Sequence, residues 1–293
     1  MIELDFSKLN KSRIAVVGMG YIGNHLYSYL KSIRSIGNFE LSFYNKSTLN
    51  EIVNKEFDFV FNCAGNTGDF KNNIWATVSS NLVLNHFLLE HVDIKKALVL
   101  LSSTRIYGSS NEAKYFFHED ANIMPINTNH LDIDFIYNGT KMLSESVAIN
   151  LSRRLNYNIV ICRLSNLYGK FLRSDLNDST YLKLMLRYKM EGRTLLVNQN
   201  IDSTKPFVYI DDAIQGIILA AIKSTKSDVY NISSGESYSI KNWLDFLGLS
   251  YERNESNVMS IFCNVAIDKA KTELGFDPCY FLQELSFDQI FTE

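Results

Sequence analysis

Tyr137 and Lys141 stand four residues apart in Tyr137-Asn138-Gly139-Thr140-Lys141. On a helix that spacing puts both side chains on one face. A lysine ammonium beside a phenol favours the phenolate, so the tyrosine can give or take a proton near neutral pH. The spacing alone does not select this pair, because Tyr27 and Lys31 repeat it. The earlier pair follows a glycine loop on a first helix and reads as structural. Position selects Tyr137. The apolar run ALVLL, residues 97–101, leads straight into Ser102-Ser103-Thr104-Arg105-Ile106-Tyr107-Gly108. A serine at the carboxyl end of a parallel strand sits where open α/β sheets bind ligands. Its hydroxyl can hydrogen-bond a reacting oxygen alongside the tyrosine. Ser103, Tyr137 and Lys141 therefore predict proton transfer at a carbinol or ketone oxygen, and a Ser-rich turn beside a surface helix is the bland alternative.

A second motif names what accompanies that proton. Gly18-Met19-Gly20-Tyr21-Ile22-Gly23 fits G-x-G-x-x-G, directly after one strand and opening a helix, the context the motif requires. Gly18 permits the tight turn, Gly20 lets the backbone approach a pyrophosphate, and Gly23 lets helix and strand pack closely. The helix N-terminus then faces the phosphates. The spacing predicts a dinucleotide cofactor. At the end of the second strand a carboxylate would bind the ribose 2′-OH. Here Leu41-Ser42-Phe43-Tyr44-Asn45-Lys46-Ser47 has none, and Lys46 and Ser47 can instead face a 2′-phosphate. The reading leans to NADP(H), with NAD possible and a solvated loop as the bland alternative. His86 and His91 lie five apart, a spacing that does not share a helical face, and no metal site is expected. The four scattered cysteines have no CxxC pair and read as reduced thiols.

These residues need elements to hold them. Strand-length apolar runs alternate with longer amphipathic segments. Strands are expected at 13–17, 40–44, 57–63, 97–101 and 158–162, with helices to about residue 34, at 74–92 and at 136–156. The segment before Phe57 is short, so a strand there is missing or merged. The alternation predicts the Rossmann-like, doubly wound α/β class, a parallel sheet with helices on both faces. After about residue 165 the rhythm breaks into Asn/Ser/Asp-rich loops at 173–180 and 198–204 and short helices at 211–223 and 240–247. A dinucleotide-binding domain over 1–165 and a smaller substrate-binding region over 166–293, with segments returning to the main sheet, are expected. Trp75 and Trp243 read as core. With 46% hydrophobic and 21% charged residues and a net charge of −3, the chain is an ordinary globular protein without a nucleic-acid footprint. No apolar run is long enough for a transmembrane helix and no h-region marks a signal peptide, so the cytoplasm is the expected compartment.

Taken together, these motifs resemble the extended short-chain dehydrogenase/reductases, the NAD(P)-dependent sugar-nucleotide epimerase/dehydratase/reductase family, from about Arg13 to Pro278. FDFVFNCAGNTG resembles the strand that lines the cofactor and implies Cys63, Ala64 and Gly65 there. Asn81 matches a helix asparagine that supports the site. SSTRIYG makes Ser103 the catalytic serine, with Ser102 toward the cofactor and Thr104 toward substrate. YNGTK supplies Tyr137 and Lys141. CRLSNLYG implies Asn166 as a substrate contact, and STKPFVYIDDA puts Lys205 at the substrate diphosphate. Asp211 and Asp212 there read as a helix-start signal. VYNISSGESYSI and ELGFDP resemble the closing segments.

Two departures narrow the chemistry. The family's usual glycine three residues before Gly20 is Val17, a variant compatible with NADP(H). The family's 4,6-dehydratases carry an Asp-Glu pair after the catalytic hydroxyl residue, where this chain has Thr104-Arg105, so dehydration lacks its acid and base. The resemblance implies NADPH-dependent reduction of a 4-keto sugar nucleotide. An NAD-dependent 4-epimerase, using the same residues, and a non-enzymatic cofactor-sensing protein on the same fold stay open. The helices at 74–92 and 136–156 resemble the pair through which family members dimerise, and a homodimer is expected.

Overall fold

The protein is described from a computed structural model, which defines residues 6–66, 73–123, 134–177, 180–254 and 259–292. Thr67-Gly68 of the FDFVFNCAGNTG motif and positions 178–179 of the first polar loop lie outside the described residues.

Six parallel strands form the central sheet: β1 Arg13–Val17, β2 Glu40–Tyr44, β3 Glu56–Asn62, β4 Asp93–Ser103, β5 Ile159–Leu164 and β6 Asp228–Ile232. Their spatial order is β2-β1-β3-β4-β5-β6. The continuous apolar runs are explained by two covered faces. On one face Val16, Phe59, Phe61, Val99, Val160 and Cys162 pack under α1 (Tyr21–Gly37) and a helix at Ile210–Lys223. On the other, Ala15, Val17, Val60, Leu98, Leu100, Ile159 and Ile161 meet Leu88, Leu89 and Ala148. Those three come from α3 (Leu84–His91) and α4 (Asp134–Leu155), and α3 is joined to α2 (Ile74–Val78) by a π-helical turn, Ser79–Val83. The helix expected at 74–92 is thus interrupted in its middle. Burying each aliphatic side chain fully contributes about 1.5–3 kcal/mol.

The chain leaves β1 for β2 on one side and returns on the other as β3, so the carboxyl ends of β1 and β3 flank the switch-point crevice. Between β2 and β3 there is no strand, only a 3₁₀ turn at Leu49–Ile52. β4 runs to Ser103 itself, two residues beyond the apolar run, which puts the serine on the last position of the strand.

β6, the edge strand beside β5, comes from beyond residue 165. The rest of that part is built on Asn166–Tyr168, which pairs parallel with Thr204–Tyr209, itself antiparallel to Ser237–Ser239. An aromatic cluster covers them, with the Trp243 ring 5.3 Å from Tyr168 and 5.0 Å from Phe207. Trp243 is core, 1% exposed. Trp75 is not: it is 73% exposed on α2, beside the exposed Ile74, because that short helix turns its tryptophan away from the sheet. Among the described residues no helix is long and apolar enough to cross a membrane.

Candidate active site

The glycine loop is folded against the two strands of the crevice. The Gly18 N–H donates to the Tyr44 carbonyl (2.8 Å) and the Cys63 N–H to the Val17 carbonyl (2.8 Å). Gly18 has φ +100°, and a Cβ there would lie 2.6 Å from the Ala64 nitrogen. A Cβ on Gly23 would strike the Gly18 carbonyl. Nothing lies within 4 Å of a Cβ placed on Gly20. The first turn of α1, after Gly20, has no side-chain cap. A tight turn, an open approach over Gly20 and uncapped N–H groups at Tyr21 and Ile22 fit a pyrophosphate. The Tyr21 side chain turns elsewhere, donating its hydroxyl to the Gly169 carbonyl with its ring 5.1 Å from Phe171. Burial pushes the Cys63 thiol up to about 12, so it stays neutral.

At the end of β2, Asn45 Oδ1 accepts from the Ser47 N–H (2.9 Å), the Ser47 hydroxyl (2.6 Å) and the Thr48 N–H (3.2 Å). This turn holds Lys46 and Ser47 exposed beside the glycine loop, with no carboxylate among them.

The serine, tyrosine and lysine converge. Ser103 and Tyr137 are buried, and Ser103 hydrogen-bonds the Tyr137 phenol. The Ser103 hydroxyl also accepts from the Arg105 N–H (3.2 Å), which starts the 3₁₀ turn Thr104–Tyr107. Lys141 Nζ lies 5.9 Å from the Tyr137 ring centroid and donates to the Leu101 carbonyl (2.8 Å). Burial pushes the Lys141 ammonium down to about 8, with Glu145 acting in the opposite sense. Burial also pushes the Tyr137 phenol up, and what pulls it back is the charge of Arg105 and the hydrogen bond from Ser103. The spacing assigned that pull to Lys141. Both cations stand at the ring, Lys141 Nζ at 5.9 Å and the Arg105 guanidinium carbon at 5.7 Å from its centroid.

Polar side chains on the π turn, α3 and α4 hold this arrangement. Asn62 at the end of β3 donates to Asn85 Oδ1 (2.5 Å), and Asn85 donates to the Asn81 carbonyl (2.9 Å) and the Ser144 hydroxyl (2.6 Å). Asn81 donates to the Thr140 hydroxyl (3.0 Å), which donates to the Tyr137 carbonyl (2.9 Å). The π turn aims Asn81 inward; such turns recur at functional sites. Asn81 Oδ1 and Ser102 Oγ are buried without partners. A Cβ on Gly65 would sit 3.3 Å from Asn81 Oδ1 and 3.5 Å from Lys141 Nζ. An orphaned buried oxygen on Asn81 facing a glycine gap, with a second orphan on Ser102 at the end of β4, fits the nicotinamide end of a dinucleotide.

A charged cluster behind the site was not singled out from the sequence. Arg163 on β5 forms a bidentate pair with Glu145, one turn after Lys141 (2.7 to 3.2 Å). It also donates to the Tyr107 hydroxyl (2.7 Å) and the Glu119 carbonyl (2.8 Å), and Tyr107 donates to Asn231 Oδ1 on β6 (2.7 Å). The pair is 7% and 6% exposed. The legible signal was an arginine inside the apolar strand IVICRL.

Not every expected residue reaches the phenol. Asn166 donates its amide to the Pro206 carbonyl (2.9 Å), and Lys205 is exposed on the partner strand. Thr104 is buried beside Ser103. Asp212 does more than start a helix: it accepts from the N–H groups of Cys279 and Tyr280 (3.1 and 3.0 Å), while Asp211 pairs with Lys170 (2.6 Å). Among the described residues no three His, Cys, Asp or Glu side chains are grouped to hold a metal ion.

The model of the NAD dependent epimerase/dehydratase family matches residues 14–233. The chain is 23% identical over 199 residues to the dTDP-4-dehydro-6-deoxyglucose reductase of Escherichia coli, an alignment covering 65% of this chain and 58% of the reductase. It superposes on UDP-glucuronic acid 4-epimerase from Bacillus cereus, in complex with UDP-glucuronic acid and NAD, with TM-score 0.71, 21% identity and coverage of 93% and 96%. RMD from Pseudomonas aeruginosa, complexed with NADPH, gives TM-score 0.71, 19% identity and coverage of 93% and 95%.

Proposed function

Because this chain belongs to the NAD dependent epimerase/dehydratase family, we propose that it reduces a 4-keto sugar nucleotide with NADPH. The observation that carries this reading is the Ser103 hydroxyl bonded to the Tyr137 phenol at the carboxyl end of β4, with Thr104-Arg105 where a dehydratase needs two acids. Support for NADPH comes from Lys46 and Ser47 in a carboxylate-free turn. The E. coli relative is a reductase by name, and a structure of the same fold holds NADPH.

In this reading the N–H groups around Gly18, Gly20, Tyr21, Ile22 and Gly23 hold the pyrophosphate. Cys63, Ala64, Gly65, Asn81, Ser102 and Lys141 border the nicotinamide end. When bound, the reduced nicotinamide supplies a hydride to the keto carbon. Ser103 donates a hydrogen bond to the keto oxygen and keeps it against Tyr137. Tyr137 transfers its phenolic proton to that oxygen as negative charge builds there, leaving the product hydroxyl and a phenolate. Lys141 binds the nicotinamide ribose, fixed by its bond to the Leu101 carbonyl. Thr104, Asn166 and Lys205 face the substrate, Lys205 at its diphosphate.

Purified protein given NADPH and a panel of 4-keto sugar nucleotides should lose absorbance at the nicotinamide band with one of them. Protein that carries bound NAD, leaves NADPH untouched and interconverts 4-epimers would replace this reading with the epimerase one. The same chain presents Ile74, Trp75, Val83 and Leu143 exposed on α2, the π turn and α4. A homodimer through these helices is part of the proposal, and sedimentation of a monomer at micromolar concentration would contradict it.

A further inference from the structure

Ser103 and Tyr137 belong to separate elements, the end of β4 and the helix α4. Their hydrogen bond lasts only while the turn after β4 and the helix keep a fixed separation. A reacting group misplaced by about 1 Å can cost about 10²-fold in rate, so the two elements need a rigid link. Arg163 is placed to be that link. It lies on β5 opposite Ser102, the neighbour of Ser103. Its Nε and Nη2 hold the Glu145 carboxylate (2.7 to 3.2 Å), and Glu145 comes one turn after Lys141 and two after Tyr137 on α4. Its Nη1 donates to the hydroxyl of Tyr107 (2.7 Å), the last residue of the 3₁₀ turn that Ser103 caps. One planar fork thus grips the catalytic helix and the serine turn at once, in directions its own geometry fixes.

The grip extends beyond the turn. Nη1 also donates to the Glu119 carbonyl (2.8 Å). Asn231 joins from β6: it accepts from Tyr107 (2.7 Å), its amide donates to the Phe117 and Ala266 carbonyls (3.3 and 3.1 Å), and its backbone N–H donates to Glu119 Oε1 (2.8 Å). The Tyr107 and Phe117 rings stack with centroids 5.2 Å apart. The chain that leaves the serine turn at Gly108 is therefore brought back to the same buried knot at Phe117. We infer that Arg163 is a positioning residue for the reaction: by joining Glu145 on α4 to Tyr107 on the serine turn, it keeps the Ser103 hydroxyl in register with the Tyr137 phenol. It acts through those two residues and transfers no proton itself, since a guanidinium releases none at any pH at which the protein is folded. Stability does not account for the arrangement. An apolar replacement of a buried ion pair is near neutral, but apolar side chains have no directional hold on a phenol hydroxyl.

This inference rests on the reduction reading for its chemistry, and its test has a readout that needs no turnover. In protein labelled with fluorotyrosine, the NMR signal of Tyr137 is assigned by its loss in Tyr137→Phe, and its position without the serine bond is set by Ser103→Ala. The double variant Arg163→Met/Glu145→Leu separates position from stability. It should melt close to wild type while its Tyr137 signal moves toward the place seen in Ser103→Ala. With a 4-keto sugar nucleotide its kcat should fall about 10- to 100-fold at little change in KM. Tyr107→Phe removes a single hydroxyl and leaves the Arg163–Glu145 pair, and it should move the signal in the same direction. Arg163→Lys keeps the charge beside Glu145 without the fork and should restore neither signal nor kcat. A folded double variant with an unmoved Tyr137 signal makes the knot merely structural and overturns the inference. If the double variant does not fold, Tyr107→Phe decides alone, and an unmoved signal there overturns it. A rise in KM at constant kcat overturns it too, because a misplaced proton donor acts on kcat. Wild-type protein inert toward every 4-keto sugar nucleotide sinks the reduction reading, and the Tyr137 signal still decides the place of Arg163.

Discussion

Replacing Arg163 by Met removes one side chain of a pair that is 7% and 6% exposed and strands the carboxylate of Glu145 between β5 and α4. The guanidinium makes three contacts to that carboxylate and one each to the Tyr107 hydroxyl and Glu119 carbonyl. Breaking one partner of a buried pair costs about 3–5 kcal/mol, because the remaining charge is uncompensated. An unfolding entropy of about 2.1 cal/mol/K per residue gives this chain about 0.6 kcal/mol/K. The melting temperature of Arg163→Met should then fall by about 5–8 °C. The loss depends on pH with a definite sign. An unpaired buried carboxylate is pushed above its unfolded value, so its folded form is relieved by a proton. Stability is kept below the unfolded pKa and lost as pH rises through the folded one, and the deficit should be larger at pH 8 than at pH 5. Adding Glu145→Leu to Arg163→Met should recover most of the loss, since an apolar replacement of a buried pair is near neutral. Calorimetry of the two single variants and the double variant at both pH values tests this. A single-variant melting point within 2 °C of wild type at both pH values, or strict additivity in the double variant, would refute the reasoning.

Three further outcomes follow from the site. Tyr137→Phe should bind NADPH with unchanged affinity in a fluorescence titration while losing about 10²–10⁴ in kcat; near-normal turnover would remove Tyr137 from its role. Gly23→Ala puts a methyl group into the Gly18 carbonyl, and should weaken cofactor binding by at least about tenfold, as read by the same titration; unchanged affinity would detach the glycine loop from the cofactor. Lys141 separates activity from stability. Its folded value of about 8 lies below the ordinary 10.5, so between the two the unfolded chain holds more protons and stability rises with pH. Activity should fall over the same window as the ammonium is lost. Melting points and kcat measured from pH 7 to 10 check both slopes, and a melting point that falls with pH as steeply in wild type as in Lys141→Met contradicts the first.

The sheet was legible where burial leaves a local trace. RIAVV and ELSFY end where the strands end, because both are bounded by glycine or polar turn residues. β4 starts four residues before its apolar run, since Asp93-Ile94-Lys95-Lys96 has only Ile94 inward, and Lys95 and Lys96 are held by Glu56 and Asp58 on the neighbouring strand. The π turn left no trace, because Ser79-Ser80-Asn81-Leu82-Val83 contains no breaker and its cause is the packing of Asn81 and Asn85 against α4. Ser103, Tyr137 and Lys141 could be picked out because each lies in a recognisable local context. Arg163, Glu145 and Tyr107 could not, because the cluster spans separations of 18 and 56 residues and exists only once β5 lies between α4 and the serine turn. The nearness of Arg105 to the Tyr137 ring was hidden for the same reason: sequence shows what replaced the acid, and only the fold shows the ring it faces.

The edge position of β6 has a consequence for how the molecule is made. β5 is complete 64 residues before the strand that covers it begins, counting from Leu164 to Asp228. Until then IVICRL is an open, apolar sheet margin, and such margins recruit other chains. Tyr107 also waits for Asn231 to accept its hydrogen bond. A chain cut after residue 165 would keep the glycine loop, the serine, the tyrosine and the lysine, yet leave that margin permanently bare. Such a fragment should be expressed mainly as aggregate, and adding residues through Ile232 should restore solubility. The half of the protein that holds the reacting groups thus depends for its solubility on one strand lent by the other half.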